Sequence, residues 1–258
     1  MIDTHCHLGL CEAPAAELVA DARAVGVRRM LSVGIDEDAG AEAIATAERH
    51  EEVLAAVGRH PNGTAGFDDR AAARLERLAA DPRVAAVGET GLDYYRDRAP
   101  REDQRRAFRA QIAIARRLSK PLVIHVRDGG QTTDGEALAE TFATLRDEAD
   151  GVTVILHCFS APPARAVEAG EAGWYCSFAG NLTYPSATSL REAAGAVPEE
   201  LLLVETDAPF LAPQAVRGRP NQPANVVAVA EQLAELRGLS YPQLEAIVEA
   251  NAARAFGW

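Results

Sequence analysis

Lysine is almost missing from this chain: Lys120 is the one example among 26 basic residues, so nearly every positive charge is an arginine. Basic residues are also outnumbered by 38 acidic ones, for a formal charge of -12. That balance excludes a protein that coats nucleic acid through a broad basic surface, a mode built on many phosphate contacts, but it leaves room for a local phosphate site. Cysteine is scarce too. The four, at positions 6, 11, 158 and 176, form no C-x-x-C pair and lack the density of a disulfide scaffold, so they read as reduced, small apolar residues. No apolar run approaches the roughly 20 residues that cross a bilayer, and the start has neither the basic stretch nor the apolar core of a signal peptide. A cytoplasmic protein without a membrane partner is expected. Repeats, low-complexity tracts and linkers are also lacking. The 258 residues, 48% of them hydrophobic, suffice for one full core of α/β-barrel size, and a single domain over 1–258 is expected.

What is present is a regular alternation. Apolar, β-rich runs occupy 2–7, 29–35, 53–60, 84–90, 121–126, 152–157, 174–180 and 201–207. Between them lie helical patterns such as "PAAELVADARAVG", closed by Gly26, and "REDQRRAFRAQIAIARRL", apolar at 108, 112, 115 and 118. Eight strands each followed by a helix predict an α/β fold, the (β/α)8 TIM barrel, and strands buried on both faces explain the nearly continuous apolar runs.

The chain opens "MIDTHCHL". In a strand His5 and His7 point to one side and Cys6 to the other, so two imidazoles converge on one point, as a divalent metal requires. His60 closes the third run, Glu89 the fourth, His125 the fifth, His157 the sixth and Asp207 the eighth. In a barrel this is the rim where active sites assemble. Only His50, in "AIATAERH", lies elsewhere, and it reads as a solvated helix-end residue.

Four histidines with Glu89 and Asp207 offer too many ligands for one tetrahedral zinc, and two metals fit better. His5, His7 and Asp207 would hold the first, His125 and His157 the second, and Glu89 would bridge them. The pair would lower the pKa of a water between them and so supply the nucleophile. A carbamylated lysine bridges the metals in many related barrel hydrolases, but Lys120 precedes its strand, at the wrong end of the barrel. Asp207 is also placed to accept a proton from the attacking water. Glu205, on the same face one layer deeper, reads as a support for a ligand or as an additional metal group, with a plain buried carboxylate as the alternative. Cys6 and Cys158 face away and read as structural.

With these residues in hand, the chain resembles the TatD family of metal-dependent hydrolases, a branch of the amidohydrolase-like barrels associated with DNA hydrolysis. The resemblance runs almost end to end through "DTHCHL", "GRHPN", "GETGLDYY", "PLVIHVRD", "LHCFS", "VETDAPFLAP", "RGRPNQPANV" and "NAARAFGW". It implies the same six ligands, places His60 close to the scissile phosphate, and implies that magnesium or manganese supports activity. Ala161 stands where the family usually has glycine, and "RDGG" follows His125 where an acidic or alanine-containing segment is common.

The remaining motif residues carry two readings each. Asp93 and Arg127 read as a pair that orients the site, or as a plain salt bridge. Tyr94 reads as lining the substrate groove, or as packing. The arginines from Arg96 to Arg109 read as the solvated face of the fourth helix, with phosphate guidance as the alternative, whereas Arg217 and Arg219, after the eighth strand, are better placed to touch a polyanion. The resulting expectation is a hydrolase with two divalent ions (Mg, Mn or Zn) that cleaves DNA ends or single strands, with no obligate protein partner. The rival is a metal-dependent deacylase, lactonase or amidase acting on a carbonyl, such as the ester of a D-aminoacyl-tRNA. A scaffold that has lost activity is a third reading, against which the complete ligand set argues.

Overall fold

The computed structural model describes residues 1–96, 98–130 and 132–257; Trp258, which ends the "NAARAFGW" motif, lies outside them. Among the described residues eight parallel strands form one sheet in chain order: β1 (Ile2–Cys6), β2 (Arg29–Gly34), β3 (Val53–Val57), β4 (Val84–Asp93), β5 (Leu122–Arg127), β6 (Val154–Leu156), β7 (Tyr175–Phe178) and β8 (Leu202–Val204). A bridge between Cys6 and Ala208 brings the segment after β8 back to β1, with Asp207 N donating to His5 O (2.9 Å) and His7 N to Ala208 O (2.7 Å). The nearly closed barrel is the fold that the alternating pattern predicts.

Helices fill the outer ring: α1 (Ala15–Ala24), α2 (Glu37–Arg49), α3 (Asp69–Ala79), α4 (Arg101–Leu118), α5 (Glu136–Glu148), α6 (Pro163–Glu171), α7 (Thr188–Ala196), α8 (Val226–Arg237) and α9 (Tyr241–Phe256). Their starts follow local chemistry. Asp36 and Asp68 accept from the N–H groups of Ala39 and Ala71, and Ser240 with Gln243 forms a capping box. α4 turns Phe108, Ile112 and Ala115 inward at helical spacing; burying a side chain such as Phe108 or Ile112 contributes roughly 1.5–3 kcal/mol. His50 caps the end of α2, as its position suggests. α9 is held by Asn251, whose side chain donates to the carbonyls of Glu199 and Leu202, which gives the closing motif a structural task. Lys120 Nζ donates to the carbonyls of Ala79 and Asp81, ahead of β5 and away from the rim.

Strand ends differ from the sequence reading in ways that shape the rim. β4 continues to Asp93, paired with Arg127 on β5, and Gly91 makes this possible: its φ is +136° and a Cβ there would lie 2.0 Å from His125 O. β6 and β8 are short, so His157, Glu205 and Asp207 lie just past them. Cys158 (φ 46°) and Asp207 (φ 53°) adopt left-handed backbone that strict alternation does not describe.

Candidate metal centre

The C-terminal strand ends open into a cleft of about 860 Å³ that exposes His7, His60, Glu89, His125, His157 and Asp207. His5 lies fully buried beneath it. Glu89 is central: its Oε2 lies 3.0 Å from His157 Nε2, 3.5 Å from His5 Nε2 and 3.8 Å from His125 Nδ1, while its Oε1 lies 3.6 Å from His60 Nε2. On the other side of His5, His7 Nε2 approaches His5 Nε2 (3.2 Å) and Asp207 Oδ1 (3.5 Å).

Neighbours fix how these rings present their nitrogens. His7 Nδ1 bonds Val33 O at 2.8 Å, which can only accept, so the proton sits on Nδ1 and the Nε2 lone pair faces the centre. Likewise Glu205 Oε1 accepts from His157 Nδ1 at 3.1 Å and from Cys158 N at 2.8 Å, turning His157 Nε2 toward Glu89. His60 is held the opposite way round. Its Nδ1 accepts from Asn62 N (3.0 Å), so in the neutral ring the proton is on Nε2, the atom that faces Glu89. His125 Nε2 lies 3.4 Å from Asp93 Oδ2, and Asp93 also accepts from Asn62 Nδ2 and from the N–H groups of Tyr95 and Arg96.

Electrostatics favour cations here. Burial alone would raise the Glu89 carboxyl, yet His60, His157 and His5 outweigh it and hold it well below the usual carboxylate range. Burial and the neighbouring His157 keep His5 far below its ordinary value, a neutral ring with a free lone pair. Burial and His125 bring His60 down to about 4. His157 goes the other way: burial lowers it, but Glu205 and Glu89 together raise it well above 6.5, so a proton competes for its Nε2. Asp3, fully buried under the centre, is raised by burial to about 8 despite bonds from Thr206 Oγ1, Thr206 N and His5 N.

Metal ions fit this donor set on a direct observation. Glu89 Oε2 is buried without a hydrogen bond of good geometry, and it lies among the ring nitrogens His5 Nε2, His125 Nδ1 and His157 Nε2; leaving such a group unpaired costs about 1–3 kcal/mol. Among the described residues three groups have donor atoms within 4.8 Å of one another: His5, Glu89 and His157; His5, His7 and Asp207; and His60, Asp93 and His125. The grouping differs from the sequence reading in one respect, since His157 clusters with His5 and Glu89, while His125 clusters with His60 and Asp93.

Several expected contacts fall elsewhere. Tyr94 is buried, donates to Glu140 Oε2 at 2.6 Å and is absent from the cleft lining, whereas the next residue, Tyr95, lines it. Asp93 and Arg127 are register partners but form no ion pair: Asp93 is engaged by N–H donors and faces His125, and the Arg127 guanidinium lies over the Tyr95 ring at 4.1 Å. Arg217 stacks over Tyr184 at 4.5 Å, and neither it nor Arg219 is part of the cleft lining. Arg101, Arg105 and Arg109 on α4 pair with Glu136, Glu140 and Glu148 on α5, which accounts for these three without phosphate, whereas Arg96, ahead of the helix, lines the cleft. The sequence gives no signal for Asn62, Tyr95 or Phe210, and one for Asp3, which shares the face of His5 and His7 at period 2.

A family model described as TatD related DNase matches residues 2–257. The chain is 41% identical over 266 residues to a Mycobacterium tuberculosis protein named "Uncharacterized metal-dependent hydrolase TatD", covering 100% of this chain and 98% of that one. It is 35% identical to the "3'-5' ssDNA/RNA exonuclease TatD" of Cronobacter sakazakii, covering 93% and 90%. Among solved structures, YJJV of Escherichia coli, described as a TatD homolog, superposes with a TM-score of 0.89 at 26% identity over 100% of this chain and 98% of that one.

Proposed function

Since the chain belongs to the TatD family of metal-dependent hydrolases, we propose that it hydrolyses phosphodiester bonds of nucleic acid from the end of a single strand, using two divalent ions. The observation that carries this reading is the position of Glu89, one carboxylate within 4 Å of the nitrogens of His5, His125 and His157 at the floor of an open cleft. The name of the Cronobacter relative supports the substrate class.

In this reading His5, His7 and Asp207 would hold one ion, His125 and His157 would hold the other, and Glu89 would serve both. Two bound divalent ions, Mg, Mn or Zn, would supply Lewis acidity toward a phosphoryl group and lower the pKa of a nearby water. The chain's own groups do the rest. Asp207, largely buried at the cleft lining, takes up the proton that the attacking water loses. His60 presents Nε2–H toward the cleft, a donor suited to a phosphoryl oxygen on which charge develops. Asp93 steadies His125 at Nε2, and Glu205 steadies His157 at Nδ1, leaving the other nitrogen of each ring toward Glu89. Arg127 at the cleft wall neutralises an adjacent phosphate, and Arg217 and Arg219 stand outside it.

The test is digestion of a 5'-labelled single-stranded oligonucleotide by chelator-treated protein, with and without added Mg or Mn, beside a neutral ester. Stepwise shortening that requires the metal supports the reading. Full activity without metal, or hydrolysis of the ester alone, overturns it.

A further inference from the structure

Two aromatic side chains face the cleft from opposite walls. Tyr95 follows β4 and Phe210 lies beyond β8, strands four places apart in an eight-stranded order and hence across the barrel from one another. Both line the cleft, and both leave about half their surface in solvent, 49% for Tyr95 and 51% for Phe210. Scattered exposed aromatics need no explanation; two that flank the same polar floor do.

The backbone of each residue is anchored by hydrogen bonds. Phe210 N donates to Asp207 O at 2.8 Å and Asn221 Nδ2 donates to Phe210 O, while the ring stands edge-on to His7 with centroids 6.0 Å apart. Tyr95 N donates to Asp93 Oδ1 at 3.0 Å, and the Arg127 and Arg96 guanidinium groups lie 4.1 and 5.8 Å from its ring centroid. Positions are thus fixed relative to Asp207 and Asp93, and although Arg127 lies against the Tyr95 ring, each side chain keeps about half its surface open. The Tyr95 wall is cationic, which suits a ring beside a phosphate.

We infer that Phe210 and Tyr95 are stacking platforms for the two nucleobases that flank the phosphate to be cut. The inference rests on the nuclease reading above and sharpens it. Platforms on opposite walls require adjacent bases to be splayed apart, which a single strand permits and a stacked, paired duplex resists. Because every base has a π face, such a cleft tolerates any sequence and selects strandedness instead.

The test uses the full chain with Mg and single-stranded oligonucleotides lacking the base at either the terminal or the penultimate nucleotide. With the unmodified protein, removing either base raises KM at least about fivefold. Phe210→Ala abolishes the sensitivity to one of the two bases and Tyr95→Ala abolishes it to the other. Phe210→Leu, which keeps bulk without a π face, behaves like Phe210→Ala, and Phe210→Trp restores the sensitivity. Equal KM for intact and base-free strands, or alanine variants as sensitive as the unmodified protein at both positions, overturns the inference while leaving the nuclease reading in place. Failure of the unmodified protein to cut any strand removes both.

Discussion

His157 stands between two carboxylates, with Nδ1 3.1 Å from Glu205 and Nε2 3.0 Å from Glu89. The two acids have different tasks, and parallel substitutions separate them. Glu89→Gln removes the charge that reaches several histidines, and the protein is expected to lose bound metal and turnover together. Glu205→Gln keeps an oxygen for Nδ1–H and weakens metal affinity by about 10- to 100-fold. Titration calorimetry with Mn reads both, and equal losses from the two variants contradict the division.

His60→Ala is expected to leave metal content unchanged and to lower kcat about a hundredfold or more, because the bond from Asn62 N keeps the proton on the Nε2 that faces the cleft. Loss of a metal ion in this variant places His60 among the ligands instead.

Asp3 gives the stability curve a slope. Its folded value of about 8 lies above its ordinary 3.8, so the folded state binds the proton more tightly. The contribution is complete below about pH 4 and is lost as pH rises through about 8. Asp3 therefore contributes a downward slope to Tm across that window, opposed below about pH 6.5 by the lowered values of His5 and His60, and Asp3→Asn removes that downward contribution. Parallel Tm curves for the two proteins exclude Asp3 as the cause.

Salt reads the phosphate contacts. KM for a single strand is expected to rise with ionic strength, and Arg127→Ala reduces the logarithmic slope by about 0.7, one phosphate's share. Arg217→Ala and Arg219→Ala, outside the cleft, change it less. A larger change from either of these two than from Arg127→Ala moves the phosphate path to the loop after β8.

Gly91→Ala is expected to cost at least about 2 kcal/mol, since its Cβ would meet His125 O at 2.0 Å. Gly66→Ala, also at positive φ (+69°) but with nothing within 4 Å of its Cβ, is the control, and thermal melting compares them. Equal Tm values show that β4 and β5 can part without loss.

What the sequence revealed of the site follows a physical line. Period-2 alternation and the rule that barrel chemistry sits at strand ends point to His5, Glu89 and His125 inside their strands, where direction leaves little choice, and to His7 and His157 one residue beyond theirs. Past the strand ends that constraint disappears. β4 runs to Asp93 and then turns, so nothing in "GLDYY" tells which tyrosine meets the cleft, and the structure turns in Tyr95 and packs Tyr94. Asp93 and Arg127 are neighbours in register, as a reader of two parallel strands would pair them, yet the turn supplies Asp93 with backbone N–H groups that no pattern announces. Phe210 is illegible in the sequence for the same reason, lying in a loop whose course is set by Asp207 and Asn221.

The seam between β1 and the segment after β8 also governs when the centre exists. His5, His7 and Asp207 come together only across that seam, from positions roughly two hundred residues apart, and Asp207 N is itself bonded to His5 O. Contacts of such long sequence separation form late in folding. A chain emerging from the ribosome therefore carries the histidines of its first strand for most of its synthesis without the aspartate that completes their cluster, and its hydrolytic chemistry is withheld until the barrel has closed.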